Sequence, residues 1–302
     1  MANDVVVVIS TYNGSKNIIR QLDSIFNQDD VDVSVFIRDD HSTDDTVNIV
    51  EEYRQKNGYK IDIVRGENEG YAKSFWDALR HAPLASYYAF SDQDDVWEKD
   101  KLYKCLQVIK NDVNIPQLAY CRMTRTDLFL NPLDEQVEVL RPEQLNRKLV
   151  LTQTYNYGAA TVFNYAARKL ICRHFPKSGK VPHDAWTGIL CFWFGKIHFV
   201  NEPLYSWVRY ESSVTGEGTK LSGIKFRIKE TLAGRTYQNV SSDLIEYYGD
   251  LLDAADLEFL RMMCDYKKNL KSKFKLVFDR ELRRSSIMGS IMLKYGIITN
   301  RF

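Results

Sequence analysis

The chain opens with five uninterrupted apolar residues, Val5 to Ile9, the pattern of a strand covered on both faces. Three further β-rich runs follow at similar spacing: Val33 to Arg38, Lys60 to Arg65 and Tyr87 to Ser91. Between them the period changes. Ile18, Ile19, Leu22, Ile25 and Phe26 fall on one helical face, as do Val47, Val50 and Tyr53, and then Ala72, Phe75, Trp76 and Leu79. Short strands alternating with amphipathic helices predict βαβ crossovers around a mainly parallel sheet.

Past Lys110 the pattern loosens. Gln117 to Arg122 and Gly158 to Phe163 read as strands, with a turn-rich stretch around Asn131, Pro132 and Pro142 between them. A helix is predicted from Pro182–Asp184 to Phe194, then strands at Ile197 to Val200 and Leu204 to Tyr210, and helices alone over 222–302. The expected organisation is an α/β domain over 1–220, divided at about residue 110, followed by a helical extension over 221–302. No internal repeat suggests a solenoid.

A length of 302 residues with 44% hydrophobic content supports a large core. The net charge of +1 points to no nucleic-acid partner, but its distribution is uneven. Residues 261–302 carry 11 Lys/Arg against 3 Asp/Glu, a net of +8, leaving the body at −7. The five cysteines are odd in number and form no CxxC pair, so neither a disulfide framework nor a zinc site is indicated, and a reducing cytosol fits. The opening residues lack the features of a signal peptide.

Ligands of open α/β sheets sit at the carboxyl ends of the strands. Polar clusters stand at each of them: Ser10, Thr11, Tyr12 and Asn13; Asp39 and Asp40; Asn68 and Gly70; and Asp92, Gln93, Asp94 and Asp95. Ser42 with Asp45 also reads as a helix capping box, Asn13-Gly14 as a turn, and Asn68-Glu69-Gly70 as a helix start. The acid cluster is the sharper signal. Three carboxylates within four residues repel unless a cation or hydrogen-bond donors offset them, and hard oxygens beside phosphate suit Mg²⁺ or Mn²⁺.

In order and spacing, Ser10-Thr11-Tyr12-Asn13, Asp39-Asp40-His41-Ser42-Thr43-Asp44, Asn68-Glu69-Gly70 and Ser91-Asp92-Gln93-Asp94-Asp95-Val96-Trp97 resemble the family 2 glycosyltransferases. The last motif is similar to the subgroup of bacterial rhamnosyltransferases. The resemblance spans about 4–216 and implies a GT-A fold: an α/β architecture of mixed, mostly parallel sheet flanked by helices, here with a C-terminal helical extension. It further implies that Ser10, Tyr12 and Asp40, with Asp39, hold the nucleoside, that Lys73 lies near the base or diphosphate, and that Asp92 faces the ribose. Thr11, Asn68 and Gln93 join this donor set. Asp94 would ligate the metal. Asp184 matches the family's acidic residue as general base, with Gly158, His183 and Trp186 bordering the acceptor. The residues alone also fit a helix start at Pro182-His183-Asp184. Where relatives carry a histidine after the last strand this chain has Tyr210, which weakens that metal ligand, and Arg209 beside it suits a diphosphate.

The function so implied is inverting, metal-dependent transfer of rhamnose or another hexose from a dTDP- or UDP-sugar to a saccharide or lipid-linked saccharide acceptor, in assembly of bacterial surface polysaccharide. A sugar-1-phosphate nucleotidyltransferase and a non-catalytic nucleotide-sugar binding protein are the alternatives. The basic tail threads Leu270, Phe274, Val277, Phe278 and Leu282 between its lysines, the pattern either of a helix lying on an anionic membrane surface or of a packed terminal helix with a solvated face. A cytoplasmic protein, peripheral on the inner face of the membrane, is expected from the first of these.

Overall fold

A computed structural model describes residues 4–109, 111–133, 137–176, 181–209 and 237–301. They fall into two compact units, one of 1–142, 155–175 and 182–210, the other of 143–154, 176–181 and 211–302.

The first unit is built on a mixed sheet. Its strands are β1 (Asp4–Thr11), β2 (Asp32–Asp39), β3 (Ile61–Arg65), β4 (Tyr87–Ser91), β5 (Val96–Trp97), β6 (Gln117–Thr126), β7 (Thr161–Asn164) and β8 (Lys196–Val208), in the order β3-β2-β1-β4-β7-β6-β8-β5. β1, β2, β3 and β4 are parallel, β7 runs antiparallel between β4 and β6, and β8 is parallel to β6. The crossovers are α1 (Ile18–Phe26), α2 (Thr46–Asn57), α3 (Tyr71–His81) and α4 (Lys101–Ile109). β1 is apolar throughout because both faces are covered. Val5, Val7 and Ile9 join Ile18, Leu22 and Ile25 of α1 in one core, while Val6 and Val8, pointing the other way, are buried on the side where α3 packs.

Two expectations need correction. Ile197 to Val200 and Leu204 to Tyr210 are not separate strands: β8 runs through Pro203, which pairs with Arg122 where the register with β6 shifts, so the missing N–H falls at a bulge. Gly158 to Phe163 is a strand only from Thr161, residues 158–160 forming a 3-10 turn. Tyr210 lies outside the described residues, as do 222–236.

The second unit is helical: α5 (Arg147–Thr152), α8 (Tyr237–Tyr248), α9 (Ala254–Asp265), α10 (Leu270–Phe278) and α11 (Ile287–Ile298), where α6 (Tyr165–Ile171) and α7 (His183–Phe194) belong to the first. Asp253, Asn269 and Ser286 cap α9, α10 and α11 by accepting first-turn N–H groups. Lys148 of α5 bridges Asp279 and Glu281 at 2.8 Å each.

Candidate active site

The strand ends are tied to one another by side chains. Asp39 accepts from the Thr11 hydroxyl at 2.9 Å and from the hydroxyl and N–H of Ser42 at 2.5 and 2.8 Å. Asp40, also buried, takes the N–H groups of Glu69 and Gly70 at 3.0 and 2.9 Å and the Arg38 guanidinium. Gly70 adopts φ +84°, a backbone that favours glycine and lets both amides turn toward the carboxylate. The Asn13 side chain accepts from the N–H of Thr43 at 2.8 Å. Gln93 clasps the backbone of Tyr12 like a short β pair, accepting its N–H at 3.0 Å and donating to its carbonyl at 3.1 Å. Beside this frame a pocket of about 200 Å³ is lined by Asp39, His41, Ser42, Asp44, Arg65 and Gly66.

The loop after β4 gathers negative charge. Asp92 and Asp94 are half-buried and Asp95 is buried. Burial, reinforced by Asp94 and Asp184, pushes the Asp92 carboxyl up to about 7. Asp95 is raised well above the carboxylate range by burial and by Asp92 and Asp94. The neighbouring cation is Lys101, fully buried on the apolar face of α4. Its ammonium donates to the Ala159 carbonyl at 2.6 Å and lies 3.1 Å from the Trp97 ring centroid. Burial lowers it to about 8, against the nearby thiols of Cys121 and Cys105 and the carboxylates of Asp95 and Asp92, which hold it charged. On the other side, Arg20 of α1 donates to the carbonyls of Asp94 at 3.3 Å and Leu128 at 3.1 Å.

Asp184 sits in the first turn of α7, half-buried, with its carboxylate received by main-chain donors: the N–H of Ala185 at 2.7 Å, its own, and that of Gly158. Burial raises its pKa to about 6, and those donors restrain the rise. The 158–160 turn therefore holds Asp184 through Gly158 and Lys101 through Ala159. The charge of Asp184 also raises Asp92, so the carboxylate of α7 lies near the acids after β4.

A family model described as Glycosyl transferase family 2 matches residues 6–171. The chain belongs to that family. Among relatives of this family member, the dTDP-rhamnosyl transferase RfbG of Shigella flexneri is 41% identical over 111 residues, 35% of this chain and 38% of that protein, so the aligned stretch covers well under two thirds of the relative's length. Of solved structures, Staphylococcus aureus TarS 1–349 in complex with UDP aligns over 92% of this chain and 76% of its own, with TM-score 0.56 and 17% identity. The mannosyltransferase PcManGT from Pyrobaculum calidifontis, in complex with GDP-Man and Mn²⁺, covers 99% and 81% with TM-score 0.54 and 17% identity. These likenesses show the fold, which is GT-A with a helical C-terminal part.

Not every residue expected in the site of this family 2 chain reaches it. His183 is 5% exposed, stacked on Phe75 with centroids 3.8 Å apart and edge-on to Phe90. Its burial lowers the pKa to about 3, so it is a neutral ring within the core. A Cβ on Gly158 would meet its Nε2 at 2.5 Å, and that close packing is what the glycine serves. Trp186 is wholly buried, its indole N–H donating to the His174 carbonyl at 3.0 Å. Ser42 caps no helix; α2 starts at Thr46, and Ser42 instead links Asp39 to the N–H of Asn13 at 2.9 Å. Ser10 is half-buried and donates to Ser74 at 2.6 Å, while Tyr12, Asn68 and Lys73 are exposed, Lys73 lying 3.9 Å from Glu69. Lys101, Arg38 and Arg20 escaped the sequence reading. Lys101 had a signal, since it occupies the apolar stripe of Leu102, Cys105, Leu106 and Ile109.

Proposed function

We propose that this family 2 member is an inverting glycosyltransferase, taking a dTDP- or UDP-activated hexose, rhamnose foremost, to a hydroxyl of a saccharide or lipid-linked saccharide in bacterial surface polysaccharide assembly. The observation that carries this reading is the pairing of Asp184 with the acids after β4 in a single site. The donor half is assigned to residues 1–110, the acceptor half to 111–220. RfbG, named as a dTDP-rhamnosyl transferase, supports the donor class. Family membership disfavours a nucleotidyltransferase or a non-catalytic binding protein.

Asp184, ionised above about pH 6, takes the proton of the acceptor hydroxyl. The oxygen attacks the anomeric carbon from the face opposite the diphosphate, and the bond from that carbon to the phosphate oxygen breaks with its electron pair leaving on the diphosphate. Tyr12 and the Asp39 pocket receive the nucleoside, Asp92 the ribose and Lys73 the diphosphate; Gln93 and Asp40 position the loops around them. Among the described residues no cluster of three or more His, Cys, Asp or Glu forms a ready-made cage for a metal. The donor set nonetheless fits a hard cation that draws its other ligands from phosphate and water, because Asp92 and Asp94 are crowded carboxylates that an added positive charge would relieve. Asp94 would hold Mg²⁺ or Mn²⁺, which when bound offsets the charge of the departing diphosphate.

The test is release of nucleoside diphosphate from a panel of sugar nucleotides, dTDP-rhamnose first, with Asp184→Asn as the control. Release from none of them, or unaltered release by the variant in the presence of acceptor, overturns the reading. Work at the inner face of the cytoplasmic membrane is part of the proposal; among the described residues no helix is long and apolar enough to cross it.

A further inference from the structure

α10 and α11 form a locked pair. Leu276, Leu293 and Ile297 are fully buried along their inner faces. Lys273 donates to the Ile298 carbonyl at 3.3 Å, and Lys294 to the carbonyls of Leu276 and Asp279 at 2.6 and 2.8 Å. Lys294 is the single charged residue in α11, and it is turned inward onto the end of α10. Outward, Leu270, Phe274 and Phe278 of α10 and Ile287, Ile291 and Tyr295 of α11 form stripes at i, i+4 and i+8, each side chain between 49% and 83% exposed. Exposed apolar area on this scale marks an interaction surface.

Charge selects the occupant. Lys267, Lys268, Lys271, Arg280 and Arg283 are exposed around α10, where the acid that Lys271 draws on, Glu258, is already bridged by Lys275 at 2.7 Å. A second copy of the chain would set these cations against their own kind, with only 3 acids in residues 261–302 to offset 11 bases. A bilayer of anionic lipid accepts both features, apolar side chains below the headgroups and ammonium or guanidinium groups among the phosphates. α11 has 12 residues, a rise of about 18 Å, far short of the ~30 Å hydrocarbon layer, so it lies in the interface.

We propose that the outer face of α10 and α11 is a docking surface for an anionic membrane. This deepens the membrane-side part of the proposed function but stands on the geometry of these helices, not on the transfer chemistry. Flotation of the full chain with phosphatidylcholine vesicles, with and without about a third phosphatidylglycerol, tests it. The chain is expected to bind anionic vesicles about tenfold better than neutral ones, less in high salt, and Phe274→Ser with Ile291→Ser, or Lys267→Glu with Lys268→Glu, to lose about tenfold. Thermal melting checks that the variants fold, and nucleoside diphosphate release in free solution is expected at the parent rate, which separates loss of docking from loss of chemistry. No preference for anionic vesicles, or a dimer in sedimentation that Phe274→Ser and Ile291→Ser dissociate, overturns the proposal.

Discussion

Exchanging Asp184 for Asn keeps the volume of the side chain and one oxygen to accept its main-chain donors, but removes the group proposed to take the proton. Asp184→Asn is expected to bind donor normally and lose about 10²- to 10⁴-fold in kcat, read from steady-state kinetics and calorimetry. The sign of its pH dependence follows from burial. With the carboxyl raised to about 6, the active ionised form is lost as pH falls through that value, so kcat should drop on the acid side near pH 6. An acid limb near pH 4 would return Asp184 to a structural role. Lys101 acts one step away. Lys101→Met removes the anchor on Ala159 and the cation beside Asp92 and Asp95, and is expected to lower kcat about tenfold while the donor KM moves little; Lys101→Arg should recover part of it if charge is what matters. The acids stand out along the chain because position at a strand end and chemistry coincide there. That His183 and Trp186, near Asp184 along the chain, turn into the core was not legible, because neighbours on a helix point to different sides and only packing reveals which way.

At the level of elements, strands β1 to β4 were readable to within two residues, since short apolar or alternating runs bounded by polar turns admit few other structures. Loop conformations were not. Ser42 satisfies a capping pattern, yet it is drawn to Asp39 because a buried carboxylate needs donors more than a solvated helix end does. Arg38 is the hidden hub of this frame. Its guanidinium pairs with Asp40, reaches Asp77 at 3.2 Å and donates to the Glu67 carbonyl at 2.9 Å from a site 2% exposed. Arg38→Met leaves Asp40 buried without its cation and is expected to cost about 3–5 kcal/mol in urea unfolding. A cost under about 1 kcal/mol would show that the Glu69 and Gly70 amides suffice to hold the carboxylate.

Seen whole, the molecule divides in a way linear reading could not find. Residues 143–154 lie far from 237–301 along the chain, yet Lys148 and its partners Asp279 and Glu281 place them in one unit through contacts no local pattern encodes. The charge contrast between body and tail was visible; which side chains face outward was not. Metal dependence belongs to this scale, because the ion would draw on protein and donor together. Binding of a nucleoside diphosphate is expected to need Mg²⁺ or Mn²⁺, and Asp94→Ala to remove most of that dependence, measured by calorimetry with and without EDTA. Equal affinity under both conditions for the parent chain would end the metal assignment. The turn at 158–160 has one more consequence. It grips Asp184 through an amide and Lys101 through a carbonyl, so the joint between the two is written in the main chain and depends on side chains only through the room they need. In a saturation library, position 158 should then accept glycine alone, and the buried positions 159 and 160 only small, uncharged residues.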